Sequence, residues 1–407
     1  MSYLPKSPEL GIYGPILVCE DQIELAFSCR LSTSVDANNP SNHFFNMIPI
    51  LRPLLPDGKS LLPYLSQIDG SRIYSNFGPI QAQLTDRLAE YFGVAPQNVL
   101  LVTNGTLALA GAVATTSTSA NNTWAIPNWT FVATAHAVLL AGGKIKLIDI
   151  DRSTWFLNPS RVLSSQNSII TAPFGANPFE SKNLLPPIAS GHQIIDAASC
   201  FDSLRNCGAQ IKPHQILMVS LQATKPLSTG EGGLLVGPED WISEIRRWIN
   251  FGFWNNRLAH GPSINGKMSE YASAIGCASL DQWEETRHRL KLVLAKYVDL
   301  CSKLNWKLQP SAKSGHVTST INIQFDNPRQ KSVVIKRLNR SSIEHRDWWG
   351  NGINSLPWMA DGTQIFPDTD YCTTTTLGLP FFVDLSNNEF ARIQETLMLA
   401  KAESSKE

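Results

Sequence analysis

Short apolar runs alternate with helical patterns along the chain from residue 99 onward. Apolar runs this short are typical of strands buried on both faces, and apolar residues repeated at helical spacing are typical of amphipathic helices. This alternation favours an α/β fold with a mostly parallel sheet. The predicted strands lie at residues 99–103, from 124, at 146–150, in the strand and turn of 168–175, at 193–196, from 218, and at 234–236.

The same patterns divide the chain into three parts. Residues 1–48 show no clear periodicity and are predicted to be an N-terminal extension, and residues 49–281 hold the alternating elements of a large domain. Residues 282–407 begin with a connecting helix and contain an alternating run, which predicts a smaller α+β domain. Helices are predicted at residues 80–92, with Leu84, Leu88 and Tyr91 on one face, at 240–251, 268–280 and 281–303, and after the capping box of Ser386 and Glu389.

Composition argues against several classes of protein. With 407 residues, 43% of them hydrophobic, the chain can bury a sizeable core. Its 34 basic and 34 acidic residues balance, so charge offers no argument for binding nucleic acid or a membrane surface. Seven cysteines are scattered without a CxxC pair, which favours a reducing compartment over a disulfide framework or a zinc site. Because no signal pattern and no apolar run of about 20 residues occurs, we expect a cytoplasmic protein.

The stretch 218–233 carries the strongest candidate for chemistry. The apolar run at its start and the apolar run 234–236 that follows it predict two strands joined by a tight turn, and the turn presents Lys225 among small and polar residues. A lysine held in this way can form a Schiff base with an aldehyde cofactor and can then carry a proton. The alternative is a solvated loop lysine, which is the usual state of an isolated lysine.

A second candidate is the segment Asn104-Gly105-Thr106, which leads from a predicted strand into a predicted helix. A glycine turn at a helix N-terminus exposes unpaired amides and the positive end of the helix dipole, and this arrangement can bind phosphate. The same residues also form ordinary turns and N-caps. The glycines at residues 230–233 lack GxGxxG spacing and lead into a strand, so a dinucleotide loop is rejected there.

Ser220, the run Ala223-Thr224-Lys225 and the glycine cluster at 230–233 resemble the cofactor-lysine motif of the DegT/DnrJ/StrS family, the pyridoxal-phosphate (PLP) sugar aminotransferases. Further matches in the same order extend from about Ile50 to about Leu385. The resemblance implies the fold type I of PLP-dependent transferases, with a large domain on a mostly parallel seven-stranded sheet and a small C-terminal domain. It also implies PLP as the cofactor that Lys225 binds covalently.

Further cofactor contacts are implied by the resemblance. Asp196 precedes Lys225 by 29 positions, as in the family, and would keep the pyridine nitrogen protonated; the alternative is a strand-end aspartate that caps a turn. Phe131 lies in a sequence similar to the family's Pro-x-x-Thr-Phe-x-x-Thr, whose aromatic residue stacks on the ring, although such an aromatic residue is more often part of the core. The remaining contacts are Gly105, Thr106 and Ser220 at the phosphate and Ser199 near the ring.

Four other positions concern the substrate and a second subunit. In the family motif that residues 265–270 resemble, the asparagine reaches the cofactor phosphate of the neighbouring subunit, so Asn265 implies a homodimer with shared active sites. Lys267 would neutralise a diphosphate as a point charge, unless it is a surface lysine. Tyr74 lies in a segment that the family places near the sugar nucleotide, unless that segment only leads into a helix. Trp349 stands where the family has a Tyr-Phe pair near the substrate, although Trp is also common in cores.

The expected activity is PLP-dependent transamination of a nucleotide-linked keto-deoxysugar. The resemblance implies a dTDP-4-keto-6-deoxyhexose as acceptor and glutamate as amino donor, in the biosynthesis of an amino sugar for a polysaccharide or glycoside. Lys225 and Asp196 would be the catalytic residues, and the covalent relay would give ping-pong kinetics.

Two departures from the family leave alternatives open. Ser199 stands where many relatives have His or Gln, and Gln222 stands where many have His. One alternative is a non-catalytic protein of this fold that serves in sensing or as a scaffold. The other is a PLP-dependent sugar dehydratase, against which Lys225 argues, since those enzymes have histidine in its place.

Overall fold

The computed structural model of the protein describes residues 47–116, 122–253, 255–359 and 364–404. The predicted N-terminal extension, residues 1–48, therefore lies outside the described residues except for Met47 and Ile48. Ile48 forms a parallel β-bridge with Ile343.

A seven-stranded sheet forms the centre of the fold. Its strands are β1 Val99–Val102, β2 Thr123–Pro127, β3 Lys144–Ile148, β4 Asn167–Thr171, β5 Gln193–Asp196, β6 Gln215–Ser220 and β7 Gly233–Val236. The spatial order is β1–β7–β6–β5–β4–β2–β3. Pairing is parallel from β6 to β3, and β7 runs antiparallel to both of its neighbours. The prediction of a mostly parallel α/β sheet is confirmed.

Helices cover both faces of this sheet. They are α1 Gly58–Ser71, α2 Pro79–Phe92, α3 Gly105–Ala114, α4 Val132–Leu140, α5 Glu239–Trp248, α6 Glu270–Asp281 and α7 Trp283–Leu304. Successive side chains of a strand point to opposite faces, so Ile195 packs in a cluster with residues of α2 and α7, whereas Ile194 packs in a second cluster with residues of α3 and α5. Both clusters are buried, which explains why the strands are apolar throughout.

A smaller antiparallel sheet follows α7. It contains β8 Lys307–Leu308, β9 Ile321–Gln324 and β10 Thr376–Leu379 in the order β10–β9–β8, together with the helices α8 Pro328–Arg340, α9 Pro367–Thr375 and α10 Asn387–Ser404. The predicted capping box at the start of α10 is confirmed, because the Glu389 carboxylate accepts from the Ser386 N–H at 2.8 Å and the Ser386 hydroxyl accepts from the Glu389 N–H at 3.2 Å. None of the helices described is both long and apolar enough to cross a bilayer.

Several predicted boundaries differ from the structure for local reasons. Helix α5 ends at Trp248, not at residue 251, because Phe251 and Gly252 adopt left-handed backbone with φ of 58° and 74°. The alternating run 317–325 forms a strand only at 321–324, since the Val317 N–H donates to the Asp202 carboxylate at 2.9 Å. Strand β3 lies two residues earlier than predicted. Helix α1 was missed, because its internal proline is typical of a loop or turn.

Candidate active site

A pocket of about 440 Å³ opens where β4, β5 and β6 end, beside the N-termini of α3 and α4. Ligands of open α/β sheets bind at this edge, outside the carboxyl ends of the parallel strands, and the volume is in the usual range for small-molecule sites. Eight of the eleven predicted site residues line the pocket: Gly105, Thr106, Phe131, Asp196, Ser199, Ser220, Lys225 and Trp349.

Lys225 lies in the turn between β6 and β7, as predicted. The Gln222 side chain shapes this turn by accepting hydrogen bonds from the Thr224 N–H at 2.9 Å and from the Thr224 hydroxyl at 2.6 Å. Gly230 has φ of 84°, a conformation that glycine adopts at little cost. The Lys225 side chain enters the pocket, where Nζ donates to Ser199 Oγ at 3.2 Å. Lys225 is therefore not a freely solvated loop lysine, and Gln222 has a structural role in presenting it.

Asp196 ends β5 and is only 4% exposed. Its Oδ2 accepts a hydrogen bond from the Thr134 hydroxyl at 2.8 Å, and its Oδ1 accepts one from the Ala198 N–H at 3.3 Å. The second bond is the turn cap that the sequence offered as an alternative, and the first bond links the carboxylate to helix α4. Asp196 thus caps its turn and also faces the pocket.

Burial acts on the pKa values of Asp196 and Lys225 in opposite directions. It raises the pKa of Asp196, and the hydrogen bonds from Thr134 and Ala198 and the charge of Lys225 oppose this rise. It lowers the pKa of Lys225, and the negative charge of Asp196 opposes this fall. A lowered lysine pKa increases the fraction of neutral amine, which is the nucleophilic form.

The N-terminus of α3 forms one wall of the pocket. Asn104 caps the helix by accepting from the Leu107 N–H at 2.9 Å. The amides of Gly105 and Thr106 belong to the first helical turn and have no acceptor within the helix, and the helix dipole adds positive partial charge there. Ser220, at the end of β6, adds a hydroxyl to the same pocket. This wall has the donors that a phosphate group requires.

Phe131 is 58% exposed, so it is not part of the core. It precedes α4 with extended backbone, φ −68° and ψ 142°, and its side chain lines the pocket. An aromatic side chain exposed within a pocket is available for stacking on a flat ring. The core alternative for Phe131 is therefore wrong.

Trp349 was predicted to be either a residue near the substrate or a core residue, and its indole both packs among aromatic residues and lines the pocket. Its ring stacks on the buried Phe174 with centroids 4.1 Å apart and an interplanar angle of 14°, and Trp129 meets it edge-on at 5.4 Å. The half-buried indole also lines the pocket, next to Trp348. Trp349 therefore belongs to an aromatic cluster and contributes to the site wall.

Three predicted site residues do not line this pocket. Lys267 donates from Nζ to Asn250 Oδ1 at 2.9 Å, and Asn265 is exposed and pairs with Asn250 in a β-bridge. Tyr74 is 48% exposed and stacks on Tyr271 with centroids 6.2 Å apart. Their roles toward a substrate or a second subunit stay predictions.

Several residues at the site were not predicted from the sequence. Thr134, which donates to Asp196, was present in the motif around Phe131, and its place in that motif was the available signal. Ser319, Thr320 and Arg346 line the pocket and come from the C-terminal region. Arg346 lies in the same segment as the predicted Trp349, whereas no motif connects Ser319 and Thr320 to Lys225, because only the fold brings them to the pocket.

The residues present fit pyridoxal phosphate. A Cβ atom at position 105 would lie 3.2 Å from Met218 Sδ and 3.5 Å from Ser220 Cβ, so glycine allows the N-terminus of α3 to lie close to these residues beside the pocket. Thr320 Oγ1 is buried without a hydrogen-bond partner among the described residues, which leaves a polar group available to a ligand. An amine, a buried carboxylate, an exposed aromatic ring and a helix N-terminus match the aldehyde, ring nitrogen, ring face and phosphate of this cofactor.

The family model for the DegT/DnrJ/EryC1/StrS aminotransferase family matches residues 57–398. The chain belongs to this family. Its members are PLP-dependent aminotransferases, so the expectation of a PLP-dependent sugar aminotransferase is confirmed. Membership does not support the non-catalytic alternative or the dehydratase alternative.

Individual relatives match along most of their length. Protein Rv3402c of Mycobacterium tuberculosis is 27% identical over 384 residues, which cover 89% of this chain and 92% of the relative. The dTDP-4-amino-4,6-dideoxy-D-glucose transaminase of Escherichia coli is 24% identical over 372 residues, 86% of this chain and 98% of the relative. The crystal structure of DesI, analysed in the presence of its TDP-sugar product, superposes with a TM-score of 0.76 at 22% identity and covers 89% of this chain and 94% of DesI. At this identity the superposition establishes the fold.

Proposed function

We propose that this protein transfers the amino group of glutamate to the keto group of a dTDP-linked 4-keto-6-deoxyhexose. The observation that carries the reaction type is the meeting of the Lys225 amine and the buried Asp196 carboxylate in one pocket, beside a helix N-terminus suited to phosphate. The sugar class is supported by the name of the Escherichia coli relative, a dTDP-4-amino-4,6-dideoxy-D-glucose transaminase.

The predicted cofactor residues would have distinct tasks in this reaction. When bound, PLP would supply an aldehyde that takes up the amino group and a ring that accepts electrons. Lys225 would take and return the proton of the donor carbon, and Asp196 would stabilise positive charge at the ring nitrogen. Gly105, Thr106 and Ser220 would hold the phosphate, and Phe131 would pack against the ring face.

The proposed active protein is a homodimer in which Asn265 of each subunit completes the site of the other. Asn265 is exposed and does not line the pocket of its own chain, which supports a role toward a partner. Tyr74 and Lys267 do not line that pocket either, and we assign both to the substrate side of the shared site.

The test supplies the purified protein with PLP, glutamate and dTDP-4-keto-6-deoxyglucose, and follows the amino sugar by mass spectrometry and the 2-oxoglutarate formed. We expect both products in equal amounts, ping-pong kinetics, and no turnover by Lys225→Ala. Parallel reactions use UDP- and GDP-linked keto sugars as acceptors, and glutamine and aspartate as donors. Exclusive amination of a UDP- or GDP-linked sugar would reject the proposed nucleotide, and a sequential kinetic pattern would reject the covalent relay.

A further inference from the structure

Two serines connect Lys225 to the C-terminal region. Lys225 Nζ donates to Ser199 Oγ at 3.2 Å, and Ser319 Oγ donates to the same oxygen at 3.1 Å. Ser199 follows β5, whereas Ser319 lies just before β9 and is only 7% exposed. The Ser199 oxygen therefore accepts hydrogen bonds from both sides, which uses both of its lone pairs and restricts the orientation of its side chain.

The segment 316–320, which carries Ser319, is held against the large sheet by a buried carboxylate. Asp202 is 3% exposed, accepts from the Val317 N–H at 2.9 Å and forms an ion pair with Arg287. A buried carboxylate with these partners is costly to release, because breaking the contacts would leave its charge unpaired. The position of Ser319 is thus set by contacts outside the pocket.

The close contact between Gly175 and Thr318, the residue before Ser319, also indicates that the position of Ser319 is set by its surroundings. Gly175 has φ of 86°, and a Cβ atom there would lie 2.6 Å from Thr318 Cβ. A residue with a side chain at position 175 would push Thr318, and with it Ser319, away from Ser199. Glycine at position 175 therefore allows Thr318 to lie close to the loop after β4.

We propose that Ser319 is a positioning residue for Lys225: it orients the Ser199 hydroxyl so that this oxygen holds the Lys225 amine in the pocket, and Asp202 sets the segment that carries it. The proposal rests on the proposed function, in which the Lys225 amine must leave and regain its bond to the cofactor. Between these events the amine needs a fixed site from which it can reach the substrate proton.

The arrangement predicts how each serine affects the proton affinity of Lys225. A hydrogen bond from Nζ to Ser199 favours the charged ammonium, so its loss lowers the pKa of Lys225. Asp196 from β5 and Cys200 from the loop after it act on the same amine, and Glu231 and Arg346 line the same pocket. These four groups are unchanged in the Ser199 and Ser319 variants. A difference in the pKa of Lys225 between wild type and variant therefore reports the loss of the serine hydrogen bonds.

The experiment measures the rate at which apo-protein captures PLP as a function of pH. The neutral Lys225 amine condenses with the PLP aldehyde and releases one water, so the midpoint of the rate profile follows the pKa of Lys225, and Lys225→Ala gives the non-covalent background. We expect Ser199→Ala to lower the midpoint by about one pH unit and Ser319→Ala by about half a unit. Ser319→Thr keeps the hydroxyl and should return the midpoint to the wild-type value.

Two further variants separate positioning from general destabilisation. Ser273→Ala removes an equally buried hydroxyl, which donates to the Ser269 carbonyl at 2.9 Å within α6, and should leave the midpoint unchanged. Asp202→Asn should lower the midpoint and also speed hydrogen exchange at the Val317 amide. Melting temperatures would be measured for all variants to test whether each is folded.

The outcomes distinguish this proposal from the proposed function. If wild type shows Lys225-dependent capture but Ser319→Ala keeps the wild-type midpoint, the positioning role of Ser319 is overturned and the proposed function stands. If the midpoint of the pH profile shifts in Ser199→Ala and not in Ser319→Ala, Ser199 acts without Ser319, and this result also overturns the proposal. If wild-type protein captures PLP no better than Lys225→Ala, the proposed function fails, and the role assigned to Ser319 fails with it.

Discussion

Asp196 and Lys225 show how single residues acquire chemistry from their surroundings. Both lie at the ends of β-strands or in the turn that follows, and burial there disfavours the charged form of each. The charge of each residue partly offsets the effect of burial on the pKa of the other.

Asp196→Asn tests the charge without changing the shape. The asparagine carbonyl can still accept the hydrogen bond from Thr134, but it cannot balance a positive ring nitrogen. We expect the glutamate half-reaction to slow by about 100-fold or more, measured by stopped-flow absorbance of the bound cofactor. Asp149→Asn is the matched control, since Asp149 is equally buried, accepts from the Thr369 N–H at 3.0 Å and does not line the pocket. A slowing of less than tenfold in Asp196→Asn would contradict the role.

Lys225→Met should make the apo-protein more stable at neutral pH. The folded-state pKa of Lys225 lies below the ordinary value of 10.5, so the charged side chain destabilises the folded protein. This destabilisation is complete below the folded-state pKa and disappears as the pH rises past 10.5. We expect the melting temperature to rise by about 2 °C at pH 7 and the gain to shrink at pH 10, measured by calorimetry. Lys303→Met removes an exposed lysine paired with Asp299 and should give no gain. Equal or lower stability of Lys225→Met at pH 7 would show that the charge carries no such cost.

At the scale of secondary-structure elements, close packing positions the N-terminus of α3, which forms one wall of the pocket. Strand β7 passes the start of α3 so closely that a Cβ atom at Gly233 would lie 2.5 Å from the Asn104 carbonyl oxygen and 2.8 Å from the Gly105 nitrogen. Both are backbone atoms, so they cannot yield without moving the N-terminus of the helix.

Gly233→Ala should therefore weaken both the fold and cofactor binding. We expect a loss of about 1–3 kcal/mol in the free energy of unfolding and a higher Kd for PLP, measured by denaturant titration and by absorbance. Gly70→Ala in α1 is the control, because no atom lies within 4 Å of its Cβ position, and alanine should there be neutral or stabilising by up to about 1 kcal/mol. Unchanged PLP affinity in Gly233→Ala would mean that β7 does not position the helix.

The aromatic cluster beside the pocket has an unusual backbone. Trp155, Phe174 and Trp349 have φ of 66°, 48° and 64°, a conformation that costs bulky residues free energy. Trp155 and Phe174 are at most 4% exposed, and their mutual packing offsets that cost. Trp349 stacks on Phe174 in this cluster, and its side chain lines the pocket from there.

At the scale of the whole molecule, the pocket depends on contacts between distant parts of the chain. The Phe174 carbonyl accepts from the Gln309 side chain at 2.9 Å and from the Ser311 hydroxyl at 2.8 Å. These bonds are buried and therefore strong relative to their exposed counterparts, so they hold the C-terminal region as one side of the site.

The proposed homodimer makes a quantitative prediction for mixed variants. A dimer of two Lys225→Ala subunits, or of two Asn265→Ala subunits, has no complete site. A mixed dimer has one complete site, formed by Lys225 of the Asn265→Ala subunit and Asn265 of the Lys225→Ala subunit. After mixing equal amounts under conditions of subunit exchange, we expect about a quarter of the wild-type activity, because half of the dimers are mixed and half of their sites are complete. Mixing Lys225→Ala with Lys225→Met should restore nothing. Failure of the first mixture despite proven exchange would show that the sites are not shared.

The sequence by itself determined the order of the strands along the chain and the α/β class, and it named eight residues that the fold brings to one pocket. Strands such as β5 and turns such as that of Lys225 are specified by local apolar runs and by glycines, and these signals are visible without the fold. Gly105 and Lys225 lie in turns marked by such signals, so the local sequence pointed to them, whereas Asp196 and Ser220 were named from the family resemblance.

Only the tertiary structure decided which alternatives hold and which distant residues join the site. From the sequence, Phe131 could be either a core residue or a residue that lines a cofactor pocket, because exposure depends on packing and not on local sequence. Ser319 and Arg346 reach the pocket because the C-terminal region packs against the sheet loops, and such long-range contacts leave no periodic pattern in the sequence. Side-chain burial likewise sets the pKa directions of Asp196 and Lys225, because desolvation is a property of the assembled site.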